Sequence, residues 1–284
     1  MTTTRERIEA LLDTFDARIR DAFLASIDDI RSAITLKIVV ERLERGDIAG
    51  AIDALHLDAD AFAPLERAIA EAYDAGGQGL IADLPRATDP QGTRIVFRFG
   101  TRNPEAEQRL RAHSSSLVTR IVDDQLQSLR QALETGLSEG RNPRSTALDV
   151  VGRISRATGK REGGIIGLTA PQERYVASAR AELLSGDPEQ MAHYLTRERR
   201  DKRFDRTIMA AIRAGKAVDA QTVQRATERY SDRLLTLRGE MLARSETMTA
   251  MATARDDAMR QQIAAGKVEQ QDVTKTCARP AIVG

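Results

Sequence analysis

Between Val223 and Ile263 the apolar positions keep a helical period for longer than a small domain normally allows. Val223, Thr227, Tyr230, Leu234, Leu237, Met241, Met248 and Met251 follow at steps of three, four and seven, and Met259 continues the series. One helix of roughly 60 Å is implied at about 1.5 Å per residue, with Gly239 as its expected bend. Such a stripe is stable only when other elements cover it. Met241, Met248, Met251 and Met259 read as an adaptable packing stripe for that purpose. A second stripe, Leu11, Leu12, Phe15, Ile19, Phe23, Ile27, Ile30 and Ile34, predicts another long amphipathic helix near the start of the chain. Aromatic residues make up 4% of the chain and Trp is absent, so the expected core is Ala, Leu, Ile and Val carried on helices. The fold class expected is mainly α: long amphipathic helices and helical hairpins with at most a short β element.

Between these two stripes the sequence is punctuated. Short helical patterns surround Ile48 to Leu55 and Phe62, Leu65, Ile69 and Tyr73, and Gly76-Gly77-Gln78-Gly79 then breaks the period as a hinge or loop. Arg94 to Phe99 carries β-branched and aromatic residues without helical spacing and is the strand candidate. Asn103-Pro104 and Asn142-Pro143 each combine a side-chain cap with a proline whose missing donor costs nothing at a helix start. Gly140 between those helices implies a hairpin. Thr169-Ala170-Pro171-Gln172 fits a capping box, Asp187-Pro188 opens a further helix, and Gly215 closes the helix of Phe204, Ile208, Ala211 and Ile212. A domain boundary is expected near Asn103, dividing an N-terminal helical region, 1–102, from a second unit, 103–276.

The charge balance narrows the functional classes. Lys and Arg number 43 against 42 Asp and Glu, a net charge of +1, which favours protein partners over a polyanion. The single cysteine, Cys277, excludes an internal disulfide framework and a multi-thiolate metal site, and suits a reducing compartment. His56, His113 and His193 have no metal-binding spacing, so no metal and no cofactor are expected. Ser114-Ser115-Ser116 reads as polar helix surface, and no nucleophile elbow is present. The start is polar, and no run approaches the roughly 20 apolar residues that span a bilayer, so a soluble, unexported protein without membrane contact is expected.

Two segments stand out as candidate binding sites. Arg153, Arg156, Lys160 and Arg161 form a basic cluster beside Gly163-Gly164-Ile165-Ile166-Gly167. Bare glycine amides can cradle an anion, but the loop lacks the Lys-Ser/Thr ending of a P-loop and the spacing of the dinucleotide fingerprint, so a structural loop is the stronger reading. Arg200, Lys202, Arg203 and Arg206 lie among Glu198, Asp201 and Asp205. That pattern makes either a solvated face of local ion pairs or a docking surface selective for partner carboxylates.

The stretch Gly152 to Arg206 also resembles the head-morphogenesis family of tailed bacteriophages, the Mu-type minor head proteins. The resemblance rests on Arg-Xaa-Gly-Gly-Xaa-Ile-Gly-Leu at Arg161 to Leu168, Gln-Xaa-Xaa-Tyr-Val from Gln172, Tyr194-Leu195, and Arg-Asp-Lys-Arg-Phe-Asp at Arg200 to Asp205. Ala243-Arg244-Ser245-Glu246-Thr247 is similar to a further element of that family, with Ser245 in place of the usual Thr. The resemblance implies a structural minor head protein, present in the virion head and in the host cytoplasm during assembly. Its implied partners are the portal protein, the major capsid protein or a scaffold protein, with a weaker contact to packaged DNA. Family members continue beyond Thr276 with an aromatic residue and a His-bearing stretch, whereas Cys277 to Gly284 departs, so a family domain incomplete at its C-terminus and a non-native or disordered tail, 277–284, are expected. The competing class is a DNA- or nucleotide-binding processing enzyme, a nuclease or transferase, using the glycine loop and basic cluster; a cytoplasmic helical adaptor is a third.

Overall fold

The computed structural model describes residues 3–89, 91–99 and 104–273. Helix α1 (Thr4–Ala33) starts at a reciprocal cap, in which the Thr3 hydroxyl accepts from the Glu6 amide and Glu6 accepts from the Thr3 amide at 2.7 Å. Three shorter helices follow, α2 (Leu36–Glu44), α3 (Ile48–Asp53) and α4 (Ala63–Asp83). Beyond the next loop, α5 (Pro104–Ser138) opens on its proline; Asn103, the expected cap, lies outside the described residues. Gly140, at φ 66°, turns the chain into α6 (Pro143–Val151), whose first amides are met by the Asn142 side chain. A two-stranded antiparallel hairpin, β1 (Arg153–Ile154) and β2 (Arg161–Glu162), pairs Arg153 with Glu162 and Ile154 with Arg161. Helices α7 (Ala170–Leu184), α8 (Pro188–Tyr194), α9 (Asp205–Ala214) and α10 (Ala220–Ala264) complete the described chain. The fold is mainly α.

The start and stop signals at the second half of the chain form as expected. Thr169 and Gln172 make the capping box, Asp187 caps α8, and Gly215 closes α9 in the left-handed region at φ 59°. Helix α10 has 45 residues, about 68 Å at 1.5 Å per residue. It packs most extensively on α4 and α1, then on α7. The core is continuous and takes in residues from both sides of the expected boundary near Asn103. The few aromatic residues are concentrated inside it: Tyr194, Phe23 and Phe62 are among the largest fully buried side chains, so the core is not aliphatic alone.

Three expectations need correction. Gly76 to Gly79 do not form a loop; α4 runs through them, with Gly76 set against α10 and Gly77 against Phe99 where a side chain has no room. A Cβ on Gly76 would sit 2.8 Å from Met251 Cα, and one on Gly77 would overlap the Phe99 ring. Arg94 to Phe99 is not a strand of a sheet. Apart from an isolated bridge between Thr88 and Arg94, side chains satisfy it: Gln262 donates to Arg98 O at 2.8 Å and Lys267 to Val96 O at 2.6 Å. Gly239 lies within continuous α10, where a Cβ would be 3.3 Å from Arg20 Cγ on α1. The methionine stripe is only partly internal. Small residues, Gly239, Ala243, Ala250, Ala254 and Ala258, share the buried side of α10 with Met251, whereas Met241 and Met248 are 64% and 52% exposed.

Candidate functional site

The glycine loop is placed by the hairpin that precedes it. After Gly152 the chain runs out along β1, turns at Gly159 and returns along β2, so that Gly163 to Leu168 enters the interior between α1, α5 and α10. Gly164 holds φ 76°, which L side chains rarely adopt, and a Cβ there would lie 2.5 Å from Gly152 N and 2.6 Å from Val150 O. Ile166 and Leu168 are fully buried.

The polar groups of the loop find their partners within the fold. Gly163 N–H donates to Asp232 Oδ1 at 2.8 Å, Ile165 N–H to Val150 O at 2.9 Å and Gly167 N–H to Gln125 Oε1 at 2.6 Å. The carbonyls are met in turn. Ser231 donates to Gly164 O, Arg31 Nη2 to Ile166 O at 2.7 Å, Arg238 Nη1 to Gly167 O at 2.8 Å, and the Gln125 amide to Leu168 O. A phosphate arriving at this loop would find these amides engaged and the glycines buried. Burial raises the Asp232 carboxyl and lowers the Arg31 guanidinium, and their separation of 3.9 Å gives only weak mutual relief.

The first basic cluster divides between inside and outside. Arg161 turns inward, donating to Arg31 O at 3.0 Å and to Gly152 O and Ile34 O at 3.3 Å, and so caps the C-terminus of α1. Arg153 pairs with Glu228 at 2.9 Å and Asp149 at 3.3 Å, and Lys160 with Asp28 at 2.8 Å. Arg156 is exposed in the hairpin turn, with no ion pair among the described residues.

In the second segment bases and acids pair locally. Arg200 grips Asp205 through two nitrogens at 3.0 and 2.9 Å, Arg203 reaches Asp201 at 2.6 Å, and Arg197 holds Glu182 at 2.6 Å. Lys202 and Arg206 are exposed and without an ion pair among the described residues. Both segments rest on one stretch of α10: Glu228, Arg229 and Asp232 reach the hairpin and loop, while Tyr230 and Arg233 reach Arg197 and Asp201. Residues of both segments thus meet one stretch of α10, and Arg156, Lys202 and Arg206 are the candidate cations without an ion pair among the described residues.

Sequence reasoning missed the residues that hold the loop: Arg31, Gln125, Ser231, Asp232 and Arg238. The available signal was a polar residue set in or beside an apolar stripe, as Arg31 is between Ile30 and Ile34. Arg244 and Glu246 could not face each other on one helix, and they part as that geometry requires, Arg244 to Asp16 on α1 at 2.9 Å and Glu246 to His113 on α5 at 2.7 Å. Among the described residues no group of three or more His, Cys, Asp or Glu is placed to hold a metal ion, and no helix is long and apolar enough to cross a membrane.

Glu182 provides a test of this internal network. Burial pushes its carboxyl up, but Arg197 and His193 outweigh that and hold it below the ordinary 4.5. A carboxylate held low stabilises the fold above its unfolded pKa, and the contribution is lost as pH falls through the folded value. Glu182→Gln should cost about 2–4 kcal/mol in urea unfolding at pH 7, by leaving the Arg197 guanidinium unpaired. The gap from wild type should shrink below about pH 4. Comparison with protein-family models, curated proteins and solved structures finds no match for this chain.

Proposed function

We propose that the protein is a structural minor head protein of a tailed phage or prophage, one that joins portal or capsid protein during head assembly through helical surfaces and without catalysis. The reading begins from the motifs between Arg161 and Asp205. The observation that carries it is the inward use of the glycine loop: amides, carbonyls and Arg161 alike are spent on α1, α5, α6 and α10. A loop so used is a structural clasp, and a nuclease or nucleotide-dependent transferase built on it would need those groups free. What remains outside includes the isolated cations Arg156, Lys202 and Arg206, while Arg153, Lys160, Arg200 and Arg203 already hold acids. Such a surface suits carboxylates of a protein partner better than a phosphate backbone, which would meet the paired acids as well.

Co-expression with the portal protein of the same gene cluster, followed by size-exclusion chromatography, tests the proposal. A shared peak is expected. Separate elution of two folded proteins would count against portal docking, and the same assay with capsid and scaffold proteins would then decide whether a head partner exists.

A further inference from the structure

A second surface lies where α5, α7 and α10 leave an open groove of about 590 Å³. Half of its lining is apolar, Leu117 from α5, Tyr175 from α7, and Leu234, Leu237, Met241 and Leu242 from α10, and the rest is polar or charged. Tyr175 is 52% and Met241 64% exposed, and Met248 continues the same face of α10 two turns on. Exposed methionines along a helix face adapt to an incoming apolar side chain with little strain.

The charge in this groove is unbalanced. Arg238 lines it, yet is only 9% exposed, and its one hydrogen bond among the described residues runs from Nη1 to Gly167 O. Its guanidinium lies 5.6 Å from the centre of the Phe23 ring, and no carboxylate among the described residues comes within ion-pair distance. Asp124 acts on it only from farther away, and burial pushes it down to about 10. Arg120 stands at the rim, exposed and also without an ion pair among the described residues. The acid at the groove, Glu246, is already held by His113 at 2.7 Å. A buried guanidinium without a counterion is costly, and a carboxylate delivered from outside would relieve it.

We infer that this groove is a docking site for an amphipathic helix of another protein, one whose apolar stripe lies on Leu237, Met241 and Tyr175 and whose acidic flank pairs with Arg238 and Arg120. The apolar residues that three helices bring to this open groove suit the apolar stripe of a helix, with the arginines selecting its charge. This inference does not depend on the virion reading, and it holds for whatever assembly the protein joins.

Two synthetic helical peptides of about 18 residues, sharing one Leu/Met stripe and differing only in Glu or Lys on the flank, test it against the full chain by fluorescence anisotropy. The Glu peptide should bind at least about tenfold more tightly than the Lys peptide. Met241→Asp, at an exposed position, should weaken Glu-peptide binding about tenfold without changing the thermal melt, and Arg120→Glu should remove most of the preference. Binding of neither peptide, equal binding of both, or binding untouched by Met241→Asp would overturn the inference. So would a dimer in sedimentation that Met241→Asp abolishes, since the groove would then belong to a second copy of this chain.

Discussion

Gly164→Ala should lower the unfolding free energy by about 3–5 kcal/mol, among the largest effects of any single methyl group in this chain. Part of that is conformational, because alanine at φ 76° pays about 1–2 kcal/mol for a left-handed backbone. The rest is steric. The new Cβ would lie 2.5 Å from Gly152 N and 2.6 Å from Val150 O, backbone atoms that cannot rotate away, so the loop must withdraw from α6. Withdrawal would also strain the contacts of Arg31, Ser231 and Asp232. Gly159→Ala is the matched control, with φ 69° and nothing within 4 Å of the added methyl; it should cost only about 1–2 kcal/mol. Urea unfolding followed by circular dichroism separates the two, and equal losses would show that the loop is not clasped.

The second large effect is expected at the crossing of α4 and α10. Gly76→Leu should cost about 3 kcal/mol or more, since its Cβ alone would come within 2.8 Å of Met251 Cα and the two helices must part to admit the rest of the side chain. Three residues on, the sign reverses. A Cβ on Gly79 meets only Leu11 Cδ1, at 3.4 Å, so Gly79→Ala should stabilise α4 by about 0.5–1 kcal/mol through helix propensity. A hinge at these glycines would give a small effect at both positions, and thermal melts of the pair distinguish the alternatives.

These two sites mark what the sequence made legible and what it hid. Local rules read well: the Thr169–Gln172 box, the Asn142 and Asp187 caps and the left-handed Gly215 depend on residues within four positions of one another. Gly76 and Gly77 of α4 did not read, because their neighbours are Met251 and Phe99, each distant along the chain. The same distance hid the fate of Arg94 to Phe99, whose backbone partners are Gln262 and Lys267 instead of a neighbouring strand. At the candidate site the loop itself stood out, but its holders did not. Gly163 N–H meets Asp232 across 69 residues and Arg31 reaches Ile166 across 135, and no periodicity encodes such pairs. The exposure of Met241 and Met248 was likewise hidden, since a small-residue face beside theirs is the buried one.

The central proposal is that this chain is a structural docking protein whose glycine loop holds the fold and whose outward cations meet a head partner. Portal co-elution of Arg156→Glu/Lys202→Glu/Arg206→Glu tests it most directly. These three side chains are exposed and make no ion pair among the described residues, so reversing them should leave the melt within about 0.5 kcal/mol of wild type. The predicted result is a folded triple variant that no longer shares the portal peak occupied by the wild-type protein. A triple variant that co-elutes as the wild type does would contradict the assignment of these cations, and a wild-type protein that binds no head component would contradict the proposal itself.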